Sequence, residues 1–118
     1  MADRVFTIPF HIPGTLAANL TIKFTMPFDA QLIHAQAVAS NDSDATWTLG
    51  NSTTADAYLL SCVIGDSGVP VEKSRANFVG TQYPHIADGV IFAIAVDFDG
   101  SAGTAAQNVT IVLTFTEG

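Results

Sequence analysis

From Val90 to Phe98 the chain alternates: Val90, Phe92, Ile94, Val96 and Phe98 are large and apolar, and Ile91, Ala93, Ala95 and Asp97 lie between them. A pleated backbone sends successive side chains to opposite faces, so this stretch is predicted to be a β-strand at the centre of the fold. Turn dipeptides bracket it, Asp88-Gly89 before and Asp99-Gly100 after. The face carrying Ile91, Ala93 and Ala95 has little side-chain bulk. It is therefore expected to lie against a second sheet or a neighbouring subunit.

Shorter runs of the same period fill the rest of the chain. Phe6, Ile8, Phe10 and Ile12 alternate with Thr7, Pro9 and His11, and Pro9, which cannot donate to a ladder, places this strand at an edge or a bulge. Residues 1–12 are accordingly expected to be peripheral. Leu20–Met26 reads as a half-exposed strand, with Thr21, Lys23 and Thr25 outward. Gln31–Ala39 reads as a strand in which either face could be buried. Thr46–Leu49 is a short strand with Trp47 and Leu49 inward, followed by a loop from Gly50 to Thr54. Ala55–Ile64 fits a helical face (Ala57, Leu60, Ser61, Ile64) as well as an alternation (Tyr58, Leu60, Cys62, Ile64), and a helical turn leading into a strand is expected. Gly65–Gly89 is a long connection, a place where a binding surface is easily built. Val109–Thr116 is the last strand. Its run toward Gly118 implies an end tied into a sheet, and Met1 is expected to be held in an assembly. About eight short strands, with at most one short helix, predict an all-β fold: one antiparallel, jelly-roll-like β-sandwich domain over residues 1–118.

Composition narrows the function. Charged residues are 13% of the chain, about half the usual share, and such a surface is often covered by a partner. Net charge is −7 with four basic residues, Arg4, Lys23, Lys73 and Arg75, so no phosphate-neutralising patch exists and no nucleic-acid partner is expected. No apolar run is long enough to span a bilayer, and no charged start precedes an apolar stretch. The expectation is synthesis in a cytoplasm, without a membrane partner. Cys62 stands alone, which excludes an internal disulfide and a cysteine-based zinc set.

Few residues suggest chemistry. Asn-x-Ser/Thr triplets begin at Asn19, Asn41, Asn51 and Asn108, and read as asparagines at turn ends with Thr opening the next strand. Asp42 with Asp44, and Asp97 with Asp99, put carboxylates at alternate positions, as loops that wrap Ca²⁺ begin. Neither completes such a loop, so these four read as solvated turns, with an interface cation as the alternative; no metal site and no cofactor is assigned. His11, His34 and His85 are scattered, no Gly-x-Ser-x-Gly elbow occurs, and Cys62 lies in an apolar stretch that favours an inert thiol. No convergent catalytic set is visible, and an enzyme is not expected. Tyr83-Pro84-His85 offers an aromatic on a loop, which suits a contact anchor or a plain turn.

One further pattern is informative: a strand leading into Pro27-Phe28-Asp29-Ala30, the Leu32–Val38 strand, Trp47-Thr48-Leu49-Gly50, and the Thr-rich ending Leu113-Thr114-Phe115-Thr116-Glu117-Gly118. In that order they resemble the small β-sandwich virion proteins of tailed bacteriophages. The resemblance implies a capsid decoration (cement) protein on the outer surface of the virion, bound to the major capsid protein as a homo-oligomer, commonly a trimer. It carries over no individual functional residue. The contacts are expected from the N-terminal segment Ala2–Phe10 (Arg4, Phe6, Ile8, Phe10) and from the Gly65–Gly89 connection (Lys73, Arg75, Phe78, Tyr83, His85). The alternative is a receptor- or carbohydrate-binding module of a phage tail or fibre with Tyr83 or Trp47 exposed. A small β-sandwich enzyme is third.

Overall fold

The computed structural model describes residues 4–100 and 103–117. Met1, Ala2, Asp3, Ser101, Ala102 and Gly118 lie outside them, and so do the expectations placed on those residues. Nine strands form: β1 (Val5–Thr15), β2 (Leu20–Thr25), β3 (Ala30–Val38), β4 (Thr46–Asn51), β5 (Leu59–Val63), β6 (Val71–Lys73), β7 (His85–Ile86), β8 (Ile91–Asp97) and β9 (Gln107–Glu117). Two single 3-10 turns, Arg75–Asn77 and Val79–Thr81, are the helical structure among the described residues.

The strands make two antiparallel sheets, one ordered β1-β9-β3-β6 with β7 also on β3, the other ordered β2-β8-β4-β5. β9 returns between β1 and β3, and β8 between β2 and β4. These two nested Greek-key returns make a jelly-roll sandwich, the fold class that the alternating pattern and the turns had predicted.

Period-two patterning explains the core. Val109, Ile111, Leu113 and Phe115 of β9 are all fully buried, as are Phe92 and Ile94 of β8 on the facing sheet. The rings of Phe92 and Phe115 meet edge to face across the sandwich, and Phe10 of β1 stacks on Phe24 of β2 with centroids 5.9 Å apart. β1 therefore lies over β2 on one flank, which leaves β6 and β5 on the other. As Pro9 requires, β1 is an edge strand. Its row Phe6, Ile8, Phe10 and Ile12 is half-buried and packs on the core.

Two bulges account for strand faces that alternation alone did not resolve. In β3, Leu32 pairs with Phe115 and His34 with Thr114, so Ile33 is an extra residue. The phase flips there: Ala30 and Leu32 are buried before it, and Ala35, Ala37 and Ala39 after it. In β5, Cys62 pairs with Trp47 and Leu59 with Leu49, leaving Leu60 and Ser61 against Thr48. Leu60, placed inward by both readings of the sequence, is instead 60% exposed, and Leu59 is buried.

β8 is central, between β2 and β4, but the second sheet lies on its Phe92 face, not on its small-residue face. Ala93 is 3% exposed all the same, because it sits between Lys23 of β2 and Gly50 of β4. Gly50 itself belongs to β4 rather than to the following loop. A Cβ there would run into the backbone of Thr54 and Ala55.

Candidate docking surface

Seven large hydrophobic side chains are exposed among the described residues, and five of them, Leu60, Val63, Val69, Val79 and Tyr83, fall on β5 and the connection after it. The flank where β5 and β6 end their sheets is thus the apolar side of a charge-poor molecule. Aromatic and aliphatic groups held on a rigid surface are what interfaces are built from.

The connection is pinned rather than loose. Gly65 bridges to β3, its N–H donating to the Ala37 carbonyl at 3.0 Å and its carbonyl accepting from Ala39 N–H at 2.8 Å. A tight turn follows, closed by Val69 N–H on the Asp66 carbonyl at 2.9 Å. Ser67 and Gly68 both take positive φ there, and Val69 is left exposed. β6 then pairs with β3. The Asn77 side chain accepts from the Ser74 N–H at 3.0 Å, starting the first 3-10 turn, and Phe78 plugs into the core at 3% exposure. Val79 N–H donates to the Tyr58 carbonyl at 2.9 Å, and Leu32 N–H to the Pro84 carbonyl at 2.9 Å, fixing both ends of the segment that presents Val79 and Tyr83.

The flank also carries two of the four basic residues. Lys73 pairs with the inward-facing Ala35, so its side chain lies at the open rim between the sheets, near Cys62. Burial holds the Cys62 thiol above its ordinary value, while the Lys73 charge and the Trp47 indole N–H pull it the other way. The Trp47 indole N–H is buried beside that thiol, near enough to favour the thiolate but without the geometry of a hydrogen bond. The Arg75 guanidinium lies 6.0 Å from the centroid of the Tyr83 ring, at the outer limit of a cation–π contact.

The structure separates the other residues named from the sequence. Arg4 is exposed, and its carbonyl accepts from Glu117 N–H. Phe6, Ile8 and Phe10 point into the sandwich, Phe6 stacking on Phe115 at 5.5 Å, so β1 shows solvent the row Val5, Thr7, Pro9 and His11 instead. Phe78 is core. His85 is exposed on β7. Trp47 is 1% exposed, inward as its place in the 46–49 strand predicted, so of the two aromatics that the ligand-binding alternative would expose, only Tyr83 is exposed.

Asp42, Asp44 and Asp99 do converge, lining with Ser43, Gly103 and Thr104 a hollow of about 180 Å³. Of the side chains here, Asp99 Oδ2 accepts from Asp44 N–H at 3.1 Å and Ser43 Oγ donates to the Thr104 carbonyl, which ties the two loops together. Asp97 turns away, accepting from Asp99 N–H and lining a neighbouring groove. No group of three His, Cys, Asp or Glu residues among the described residues is arranged to hold a metal ion. That neighbouring groove, about 320 Å³, runs over Thr21, Thr46, Thr48, Ser61 and Ala95 on the outside of the four-stranded sheet. The sequence reading missed it, because Thr21 and Thr48 come beside Ala95 only through the pairing of β2 and β4 with β8.

All four asparagines of the Asn-x-Ser/Thr triplets work in loops. Asn19 accepts from Phe98 N–H, Asn51 from Thr53 and Thr54, and Asn108 from Gly14, while Asn41 bonds both Ala105 and Gln107.

No protein-family profile matches the sequence, and no curated protein matches it. Solved structures do match in fold. A chain from the capsid of Ralstonia phage GP4 superposes with a TM-score of 0.63 at 17% identity, covering 100% of this chain and 87% of that one. A chain from the cyanophage Pam1 capsid asymmetric unit gives 0.60 at 15% identity, covering 99% and 87%. The sandwich described above is therefore a fold also found, at nearly full length, in two phage capsids.

Proposed function

We propose that the protein is a structural component of a phage virion: a decoration (cement) protein that binds the outer surface of an assembled capsid. The observation that carries this reading is the near-complete fold match to chains of two phage capsids. The rigid apolar flank formed by β5 and the 65–89 connection suits the role, as does the shortage of surface charge. The partner is the major capsid protein, and the protein acts as a homo-oligomer, a trimer on the resemblance stated from the sequence. The exposed outer row of β1, with Arg4, supplies the second contact.

The mechanism is mass action. A protein that binds the intact shell but not its separated subunits stabilises the shell by RT ln(1 + [L]/Kd) per site, and many sites multiply the effect. No bond is made or broken, so a convergent reactive centre is not needed.

The test uses shells of a phage that encodes the protein, assembled without it, with occupancy measured by sedimentation and shell survival by heating. Saturable binding and a raised shell melting temperature are expected. Val79→Asp and Tyr83→Ala, both at exposed positions, should lower occupancy about tenfold or more while the isolated proteins keep their fold. Absence of binding to such shells would refute the reading.

A further inference from the structure

Among the described residues the two sheets end in five lateral strands, β1, β6 and the two-residue β7 that follows Pro84 in one, β2 and β5 in the other. An edge strand offers backbone N–H and C=O groups to any extended chain, and folded proteins blunt it with proline, charge or brevity. β1 contains Pro9 and Pro13, β2 carries Lys23 at its centre, and β6 is three residues with Glu72, Lys73 and a preceding Pro70. β5, Leu59-Leu60-Ser61-Cys62-Val63, has no proline and no charge, and its one interruption is the bulge at Leu60-Ser61, which leaves the Cys62–Val63 end regular.

Its open side can be assigned. Ile64 N–H donates to the Ala45 carbonyl at 3.0 Å and Cys62 pairs with Trp47, so the alternation of an antiparallel ladder turns the Val63 N–H and C=O away from β4. Among the described residues no loop backbone bonds to residues 60–63, and the Leu60 and Val63 side chains are 60% and 51% exposed. Two cations lie on this flank, Lys73 at the rim near Cys62 and Arg75 beside Tyr83, and the acidic neighbours in sequence and pairing are Asp66 beyond the strand and Asp97 two strands in. The one ion pair among the described residues is His34 with Glu72, so neither cation meets a carboxylate. Two β5 edges brought together would set these cations against their copies, which disfavours self-pairing and favours an acidic partner.

We propose that the open edge of β5 receives an extended acidic segment of the shell protein as an added strand, its apolar residues covering Leu60 and Val63 and its carboxylates meeting Lys73 and Arg75. The identity of the partner rests on the virion reading; the recognition chemistry rests on the edge itself. Backbone bonds supply affinity in such augmentation, and side chains supply choice.

The experiment records amide spectra of the isotope-labelled full chain titrated with a short blocked peptide alternating valine and glutamate, and with the same peptide carrying lysine for glutamate. The glutamate peptide is expected to shift the Ser61, Cys62 and Val63 amides saturably, more weakly at high salt, and the lysine peptide to leave them in place. Val63→Pro removes the open donor, and Leu60→Lys adds a guard at an exposed position. Each should reduce peptide affinity about tenfold or more, and a loss in Leu60→Lys with an unchanged melting temperature separates lost recognition from lost folding. On shell-bound protein, deuterium exchange at Val63 should slow. Equal binding of both peptides, shifts confined to other strands, or self-association through β5 would overturn the proposal. Shell binding with Val63 still exchanging freely overturns it too, and leaves the virion role standing. Peptide binding at β5 by a protein that binds no shell supports the edge chemistry and removes the virion reading.

Discussion

Asn41 accepts a hydrogen bond from the Gln107 N–H at 2.9 Å, and its own amide donates to the Ala105 carbonyl at 2.9 Å, so one side chain ties the β3–β4 loop to the entry of β9. β9 is the middle strand of its sheet's core, and its register against β1 and β3 begins at this clasp. Asn41→Ala removes both bonds and leaves a part-buried N–H without a partner. The expected cost is about 2–3 kcal/mol of unfolding free energy, measured by urea denaturation. Asn41→Asp keeps the acceptor for Gln107 and should cost about half as much.

The sandwich was legible because alternation is a local signal, and β2, β8 and β9 carry it without interruption. What alternation could not show is where the period slips. Nothing in Leu32-Ile33-His34 marks Ile33 as the extra residue; the bulge comes from fitting β3 against β9, a partner about eighty residues away in sequence. The same holds for Leu60, which faces solvent because Thr48 opposes two residues of β5. The docking flank was legible as a region, since Gly65–Gly89 breaks the strand pattern. Its residues were not, because hydrophobicity alone gives Phe78 and Val79 the same promise, and only the fold makes one core and the other surface. Likewise Asp42, Asp44 and Asp99 share a hollow through the pairing of β4 with β8, which no spacing in the sequence encodes.

Cys62 should report on the rim where β5 meets β6. Burial raises its thiol above the ordinary value, so at neutral pH it should react with a disulfide reagent more slowly than a small free thiol does. The folded state holds the proton more tightly than the unfolded chain. Its stabilising contribution is therefore complete below the ordinary thiol range and is lost as pH rises through the folded thiol's higher value. Urea midpoints of the wild type and Cys62→Ala, compared from neutral to alkaline pH, should show the wild type losing more stability across that range. Lys73→Met removes a charge that lowers the thiol, and should slow the reagent further. Faster reaction in Lys73→Met would mean that Lys73 shields Cys62 sterically more than it acts by charge.

Asp99 holds its loop at an unfavourable backbone angle. Its φ is 60°, a left-handed conformation that Asn tolerates and Ala resists, and its carboxylate accepts from Asp44 N–H. Asp99→Asn keeps an acceptor and the tolerance, and its melting temperature should stay close to that of the wild type. Asp99→Ala loses both and should cost about 1–3 kcal/mol. Calorimetry on the two variants separates the loop's geometry from its charge, since both remove the same carboxylate. Equal destabilisation of the two would show that charge dominates.

The outside of the four-stranded sheet depends on Gly50 and Ala93 being small. They pair across β4 and β8, and a Cβ at Gly50 would meet the Thr54 carbonyl and the Ala55 backbone, which cannot swing aside as a side chain could. Gly50→Ala should therefore push the 51–55 turn off the sheet and cost about 2 kcal/mol or more, since overpacking against backbone forces main-chain shifts. Ala93 is enclosed by its own neighbours and not by the second sheet, so Ala93→Glu must break open the contact among β2, β8 and β4 to bring its carboxylate to water. Loss of cooperative unfolding, or a large fall in the urea midpoint, is expected for the isolated protein. Were Ala93→Glu soluble, monomer-like and as stable as the wild type, the enclosure would be too shallow to matter. Destabilisation seen only in the assembled oligomer would instead show that a neighbouring subunit supplies the cover.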